Sequence, residues 1–321
     1  MPAIATIGFF DGVHKGHRYL FEQLHRYATE YDEHPLIFTF LQHPRTVLAQ
    51  LQGNDDFCPQ LLTTIDEREQ LLGQFGDVHF FDFAEVQPLT AAQFLDYLAD
   101  RWKVRRLLMG YNHRFGSDGL SDEQYVAVAQ RVGIRVLRAE PYCEGEQKPS
   151  STAIRNLLAQ GNIVEANRWL GYEYMLTGRV VHGRMIGRQI GFPTANIVPA
   201  PDKLIPAPGV YKAVVAINGA PAKTDVVVGS AEARSRFVSQ GGTGERPLVN
   251  ALVNIGTNPT VGNTHQTIEV HIPDFCGDLY NQSITLHFTE RLREERHFAS
   301  LDELKAQIQK DYETITSSTD A

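Results

Sequence analysis

Two imidazoles three residues apart, His14 and His17, follow a glycine-rich turn, Gly8-Phe9-Phe10-Asp11-Gly12-Val13, and bracket Gly16. Glycines let a backbone approach a bound group, and the start of a helix offers free N–H donors and partial positive charge. Two imidazoles there can donate to phosphate oxygens as charge builds on a pentacoordinate phosphorus. Gly8, Phe9, Asp11, Gly12 and Gly16 are therefore candidates for binding a nucleotide phosphate, with surface histidines beside a tight turn as the ordinary alternative. A second cluster, Lys148-Pro149-Ser150-Ser151-Thr152-Ala153-Ile154-Arg155, sets hydroxyls and a guanidinium at a helix mouth. Ser151, Thr152 and Arg155 suit a polyphosphate, although a plain N-cap uses the same residues.

The second half carries another glycine-rich stretch, Gly178 to Asn196, holding Gly183, Gly187, Arg188, Thr194 and Asn196. Its glycines permit a loop over phosphates. If the segment is extended, Thr194 and Asn196 share one face and present neutral oxygens of the kind Mg²⁺ accepts; a turn-rich structural segment is the alternative. Downstream, Thr267-Ile268-Glu269-Val270-His271-Ile272 reads as a strand with Glu269 among apolar neighbours, a place for a base that takes a proton from an alcohol. Strand glutamates also commonly face solvent.

The elements that must carry these groups differ between the halves. Ile4–Phe9, Leu36–Phe40, Val78–Phe81, Leu107–Met109 and Ile134–Leu137 read as strands. Between them Gly16–Tyr31, Ile65–Phe75, Ala91–Trp102 and Asp122–Val132 have helical spacing, and Thr152–Gln160 follows as another helix. Such alternation implies a parallel sheet covered on both faces. After Leu170-Gly171 the runs turn short and β-branched: Leu176–Val181, Val210–Ile217, Leu248–Ile255, Thr267–Ile272 and Ile284–Phe288. This is an antiparallel barrel or sandwich pattern. A helix returns at Ser300–Tyr312, opened by a capping box of Ser300 with Glu303. The expected domains are 1–172 and 173–321, consistent with the two domains that 321 residues suggest.

Composition removes several classes. A net charge of −8 supplies no global field for DNA or RNA, while leaving room for a small anion in a local cradle. With 42% hydrophobic and 21% charged residues the chain is a packed globule rather than a disordered one. No apolar stretch reaches membrane-spanning length and the start has no basic leader, so the expected setting is cytoplasmic, without a membrane. Cys58, Cys143 and Cys276 are scattered, which argues for reduced thiols rather than disulfides or zinc.

The ordered motifs G-x-F-D-G-V-H-x-G-H, S-S-T-x-I-R and Gly161-Asn162-Ile163-Val164-Glu165-Ala166-Asn167-Arg168-Trp169-Leu170-Gly171 resemble the adenylyltransferase half of the bacterial bifunctional riboflavin kinase/FMN adenylyltransferase (FAD synthetase) family. The stretch ending Gly191-Phe192-Pro193-Thr194-Ala195-Asn196 resembles its riboflavin kinase half. So do Pro208-Gly209-Val210-Tyr211, Asn254-Ile255-Gly256-Thr257-Asn258-Pro259-Thr260 and Glu269-Val270-His271. The resemblance implies an α/β Rossmann-like nucleotidylyltransferase domain, then a six-stranded antiparallel barrel of riboflavin kinase type with a C-terminal helix. It implies phosphorylation of riboflavin to FMN by ATP with Mg²⁺, yielding ADP, then adenylylation of FMN to FAD with release of pyrophosphate. His14 and His17 would stabilise the α-phosphate, while Ser151, Thr152 and Arg155 would hold the ATP phosphates. Thr194 and Asn196 would hold metal and phosphates, and Glu269 would be the general base. Two segments depart from the family pattern: Gln42 stands at a usual proline before His43-Pro44, and Asn112 occupies an acidic slot in Gly110-Tyr111-Asn112-His113-Arg114-Phe115-Gly116. Asn112 keeps an acceptor for the nucleotide while losing charge. The stretch 220–248 is longer than the family pattern and reads as an extended hairpin, with a mobile lid or partner surface as the alternative.

Overall fold

The computed structural model describes every residue except 111–116, 146, 184–186, 188–190, 219–247, 261–262, 274, 276, 297 and 318–321. The chain divides into two compact units, Met1–Ser151 and Thr152–Ala321.

In the first unit the order is β1 (Ala3–Ile7), α1 (Lys15–Tyr31), β2 (His34–Phe40), α2 (Pro44–Leu51), α3 (Ile65–Leu72), β3 (Asp77–Phe81), α4 (Phe83–Val86), α5 (Ala91–Trp102), β4 (Val104–Met109), α6 (Asp122–Val132) and β5 (Arg135–Arg138). The strands pair in parallel as β3-β2-β1-β4-β5. Every residue of β1 is buried, as a strand with helices over both faces requires. From β1 the chain winds outward through β2 to β3, then crosses back through α5 to β4 on the other side. The carboxyl ends of β1 and β4 thus flank the point where the winding reverses, where open α/β sheets leave a ligand crevice. Thr6, wholly buried, donates its hydroxyl to the Leu108 carbonyl at 2.9 Å and ties these two strands together.

Helix starts in this unit differ in their caps, and His43 and Asp82 cap α2 and α4, each through a single side-chain acceptor. Thr64 with Glu67, Thr90 with Gln93 and Ser121 with Gln124 form reciprocal capping boxes that open α3, α5 and α6. Helix α1 begins instead at His14, in extended conformation and with no side-chain cap. Among the described α-helices of this unit, α1 alone has no side-chain cap, which leaves its amino end able to take an anion.

The second unit opens with α7 (Ser151–Ala159), whose first residue ends the other unit, and α8 (Ile163–Leu170). There follow β6 (Tyr174–Val181), β7 (Ala195–Pro199), β8 (Gly209–Asn218), β9 (Leu248–Thr260), β10 (Asn263–His271), β11 (Ser283–Arg293) and α9 (Leu301–Ser317). The six strands close an antiparallel barrel in the order β10-β7-β6-β11-β8-β9. Alternate residues fill it: Ile284, Leu286 and Phe288 of β11, Val253 and Ile255 of β9, and Ile268 and Val270 of β10 are all buried. Helix α9 lies outside, where Ile315 packs on Val210 and Leu252 and Asp311 accepts from Arg293 at 2.7 Å.

Two local readings of the sequence are refined. Residues 152–170, grouped by sequence with the α/β half, sit with the barrel: Ala207 donates its N–H to the Leu158 carbonyl at 3.0 Å, and Asn167 bonds both the Phe288 carbonyl (2.8 Å) and the Tyr174 N–H (2.7 Å). The capping box at Ser300 is half formed. Its hydroxyl accepts the Glu303 N–H at 3.2 Å, but the Glu303 carboxylate takes the Ala299 N–H and the Arg296 guanidinium instead of closing the box. The extension at 220–248 lies almost wholly outside the described residues; the strands it joins, β8 and β9, are antiparallel neighbours.

Candidate active sites

The turn between β1 and α1 is held in a conformation few side chains adopt. Phe10 has φ +53°, Gly12 +81° and Val13 +37°, and a β-branched residue in that region is strained by roughly 1–3 kcal/mol. Asp11 shows what holds it. Its buried carboxylate accepts from the Leu62 N–H (3.1 Å), the Thr63 N–H (3.0 Å) and the Thr63 hydroxyl (3.1 Å), while Thr63 Oγ1 accepts the Gly12 N–H at 3.1 Å. Ser151 then donates its hydroxyl to the Asp11 carbonyl at 2.9 Å. Asp11 and Ser151, both phosphate-binding candidates by sequence, thus brace the turn.

The two motifs of the first half meet here. A Cβ on Gly16 would come within 3.1 Å of the His14 ring and 3.6 Å of the Pro149 carbonyl, so Gly16 makes room for the imidazole and for the strand of chain that leads to Ser151. A Cβ on Gly8 would meet the Phe10 ring at 2.7 Å. Phe9 stands edge-on to His43, 4.6 Å between centroids, and the buried Arg68 guanidinium lies over the Phe9 ring, 4.1 Å from its centroid. Arg68 also donates to the Phe40 carbonyl at 2.6 Å, fixing the ends of β1 and β2 together. Neither Thr63 nor Arg68 carries any local motif that would have marked it. His43 caps α2, its Nδ1 accepting the Arg45 N–H. Thr152 and Arg155 occupy the first turn of α7, and Asn112 lies outside the described residues.

His14 and His17 stack face to face with centroids 3.7 Å apart, and Phe10 closes the far side of His17. The Nδ1 atom of each ring is buried with no hydrogen-bond partner. A buried polar atom left unpaired calls for an explanation, and a bound ligand at this helix start is one that fits. Burial holds the His14 pKa down to about 4, partly offset by Asp11; burial and then the His14 charge push His17 well below its ordinary value. Both shifts favour the neutral imidazole at pH 7, a form that can donate a hydrogen bond without carrying charge.

This depression has a measurable consequence for stability. Because the folded His14 pKa lies below the unfolded 6.5, the unfolded chain binds the extra proton, and stability present above pH 6.5 drains away as pH falls toward 4. Between pH 7 and 5 His14 accounts for a loss of about 2 kcal/mol. Urea titrations at the two pH values should show a loss in the native chain that exceeds the loss in His14→Gln by that amount, with His17 contributing its own loss in both chains. Equal losses in the two chains would contradict the assignment.

In the second unit the register places the kinase candidates side by side. Glu269 on β10 pairs directly with Asn196 on β7, on the outer face that alternates with buried Ile268 and Val270. Gly183 lies against Asn196, and Gly187 against Phe192 and Thr194. A Cβ on Gly183 would fall 2.0 Å from Asn196 Nδ2, and one on Gly187 would fall 2.2 Å from the Phe192 carbonyl and 3.3 Å from Thr194 Oγ1. The Gly187 carbonyl accepts the Phe192 N–H at 2.8 Å, and His271 Nδ1 bonds the Pro193 carbonyl at 2.9 Å, so the Phe192-Pro193 segment that leads into Thr194 is anchored at both residues. Arg188 lies outside the described residues.

Comparison with known proteins covers both halves. Residues 1–153 match the family model described as FAD synthetase, and residues 170–319 match that of riboflavin kinase. The bifunctional riboflavin kinase/FMN adenylyltransferase of Escherichia coli (strain K12) is 35% identical over 314 residues, spanning 96% of this chain and 90% of that one. The protein of the same name from Bacillus subtilis (strain 168) is 29% identical over 315 residues, again spanning 96% and 90%. Among solved structures, a macrolide-efflux protein from Streptococcus pneumoniae superposes with a TM-score of 0.77 at 27% identity, covering 98% of this chain and 94% of that one. In this chain no helix among the described residues is long and apolar enough to cross a membrane.

Proposed function

The chain belongs to the bifunctional riboflavin kinase/FMN adenylyltransferase family, and from that premise we propose how its residues divide the work. The enzyme phosphorylates riboflavin to FMN and then adenylylates FMN to FAD, with ATP as co-substrate in both steps. The kinase step belongs to the barrel and the adenylyl transfer to the α/β unit. The observation that carries the first assignment is the direct pairing of Glu269 with Asn196 under Gly183. The observation behind the second is the stacked, orphaned imidazole pair at an uncapped helix start.

In the barrel Glu269 accepts the proton of the terminal ribityl hydroxyl as that oxygen attacks the γ-phosphorus of ATP. Thr194 and Asn196 face the phosphates beneath the glycine loop, where no side chain intrudes at 183 or 187. Phosphoryl transfer asks chiefly for such positioning and for charge neutralisation. Members of these families need a divalent metal, and the neutral oxygens of Thr194 and Asn196 fit Mg²⁺ that takes its remaining ligands from phosphate and water. Mg²⁺ would there offset phosphate charge. In the α/β unit His14 and His17 donate from neutral rings to α-phosphate oxygens of ATP while the FMN phosphate attacks and pyrophosphate departs. Asp11, Thr63 and Ser151 keep the turn in place. FMN, FAD, ADP and pyrophosphate are bound transiently as substrates and products. The acidic net charge goes with no nucleic-acid partner, and the exposed thiols of Cys58 and Cys143 go with a reducing, cytoplasmic setting.

Purified chain incubated with riboflavin, ATP and Mg²⁺ should accumulate FMN and then FAD, resolved by chromatography. Excess chelator should stop both steps and added Mg²⁺ restore them; undiminished turnover after exhaustive chelation would remove the metal from Thr194 and Asn196.

A further inference from the structure

Glu269 has a second cross-strand neighbour. On the side away from Asn196 it pairs directly with Asn254 of β9. The belt of paired residues across five strands therefore runs Val210, Asn254, Glu269, Asn196, Val181. Its polar section is these three residues, and directly opposed partners stand about 4.5–5.5 Å apart at Cβ, close enough for one small ligand to touch all three. Val210 is buried under Ile315 of α9, as is Leu252, two residues before Asn254 on the same face. Asn254 is only half-buried, so it lies just past the edge of the helix cover. Beyond it the space over Gly256 is taken by the Glu295 carboxylate, which accepts from Thr257 and lies 2.8 Å from where a Cβ would be, with Thr267 Oγ1 at 3.4 Å and Asn254 Nδ2 at 3.5 Å. No described hydrogen bond engages the Asn254 side chain.

We infer that Asn254 sets acceptor specificity in the kinase step by hydrogen-bonding the ribityl hydroxyl next to the one that reacts. This rests on the assignment of Glu269 as base and Asn196 to the phosphate side. In an in-line transfer the leaving oxygen, phosphorus and attacking oxygen follow one another, so the base stands between the phosphate groups and the body of the acceptor. With Asn196 toward the phosphates and Glu269 at the attacking hydroxyl, the next position along the row receives the carbon chain bearing further hydroxyls. An amide suits it, because each hydroxyl both donates and accepts, as an amide does. A site built to bond a hydroxyl discriminates against an acceptor that lacks it.

Steady-state kinase kinetics of the full chain with riboflavin and with a flavin bearing a 5-hydroxypentyl side chain, which keeps the reacting hydroxyl alone, test this. The native enzyme should favour riboflavin in kcat/KM. Asn254→Ala should lose about tenfold on riboflavin, the order expected for one hydrogen bond, with no loss on the 5-hydroxypentyl flavin and no change in the ATP KM. Equal losses on both acceptors, no loss on either, an altered ATP KM alone, or a native enzyme indifferent to the two acceptors would each overturn the inference. If circular dichroism shows Asn254→Ala misfolded, Asn254→Ser gives the same comparison with a smaller disturbance. Glu269→Gln separates the underlying reading: a variant that keeps kinase turnover removes the base, whereas an inactive one beside an Asn254→Ala chain like the native enzyme removes only the specificity role.

Discussion

Glu269→Gln should lower FMN formation by about a hundredfold to ten-thousandfold, the range a positioned general base contributes, while FMN supplied from outside is still converted to FAD at the native rate. The amide occupies the same volume and can still lie opposite Asn196, so the strand pairing of β10 with β7 and β9 survives. What it cannot do is take the proton from the attacking hydroxyl. The loss should fall in kcat and kcat/KM alike, with little change in the KM for ATP, because the interaction removed forms with the transition state rather than with bound substrate. Separate chromatographic assays of the two products decide the matter. A variant that loses both activities together would show that the effect is structural, and one that keeps kinase turnover would return Glu269 to an ordinary outward-facing strand glutamate.

The sequence carried a good part of this arrangement because its strongest signals are local. Apolar runs separated by amphipathic stretches announced the parallel sheet, and β-branched runs between glycine and proline clusters announced the barrel strands. His14, Gly16 and His17 could be grouped because they share one helix start. Strand β7 was legible only conditionally: Ala195–Pro199 is short, ends in proline, and becomes a strand through its pairing with β6 and β10. The role of Asp11 depends on Leu62 and Thr63, residues 51 and 52 positions away, and no spacing rule connects them. Likewise α8 joins the barrel through Asn167, whose partners Phe288 and Tyr174 lie on β11 and β6. Asn254 shares its row with Glu269 only once the β9–β10 register is known. Long-range register and side-chain bracing emerge from packing, and packing is what periodicity leaves unstated.

His17→Ala should produce the reciprocal defect, a fall of roughly a hundredfold to a thousandfold in FAD formation from FMN with riboflavin phosphorylation intact. The argument runs through the stack. His17 is held between His14 and Phe10, its Nδ1 buried and unpaired, so it is pre-aimed and costs no reorganisation when charge gathers on the α-phosphate. Removing it deletes one donor and also frees the His14 ring, which loses its stacking partner and the neighbour whose charge it would oppose. His14→Ala should therefore cost a similar factor, and the double variant should lose less than the product of the two, since two rings that orient each other act as one unit. The strained turn persists without either ring because Asp11, Thr63 and Ser151 brace it independently of the histidines. The thermal transition of this unit should accordingly stay intact in both single variants. If the two losses multiply fully, the rings work independently and the stacked geometry has no part in catalysis.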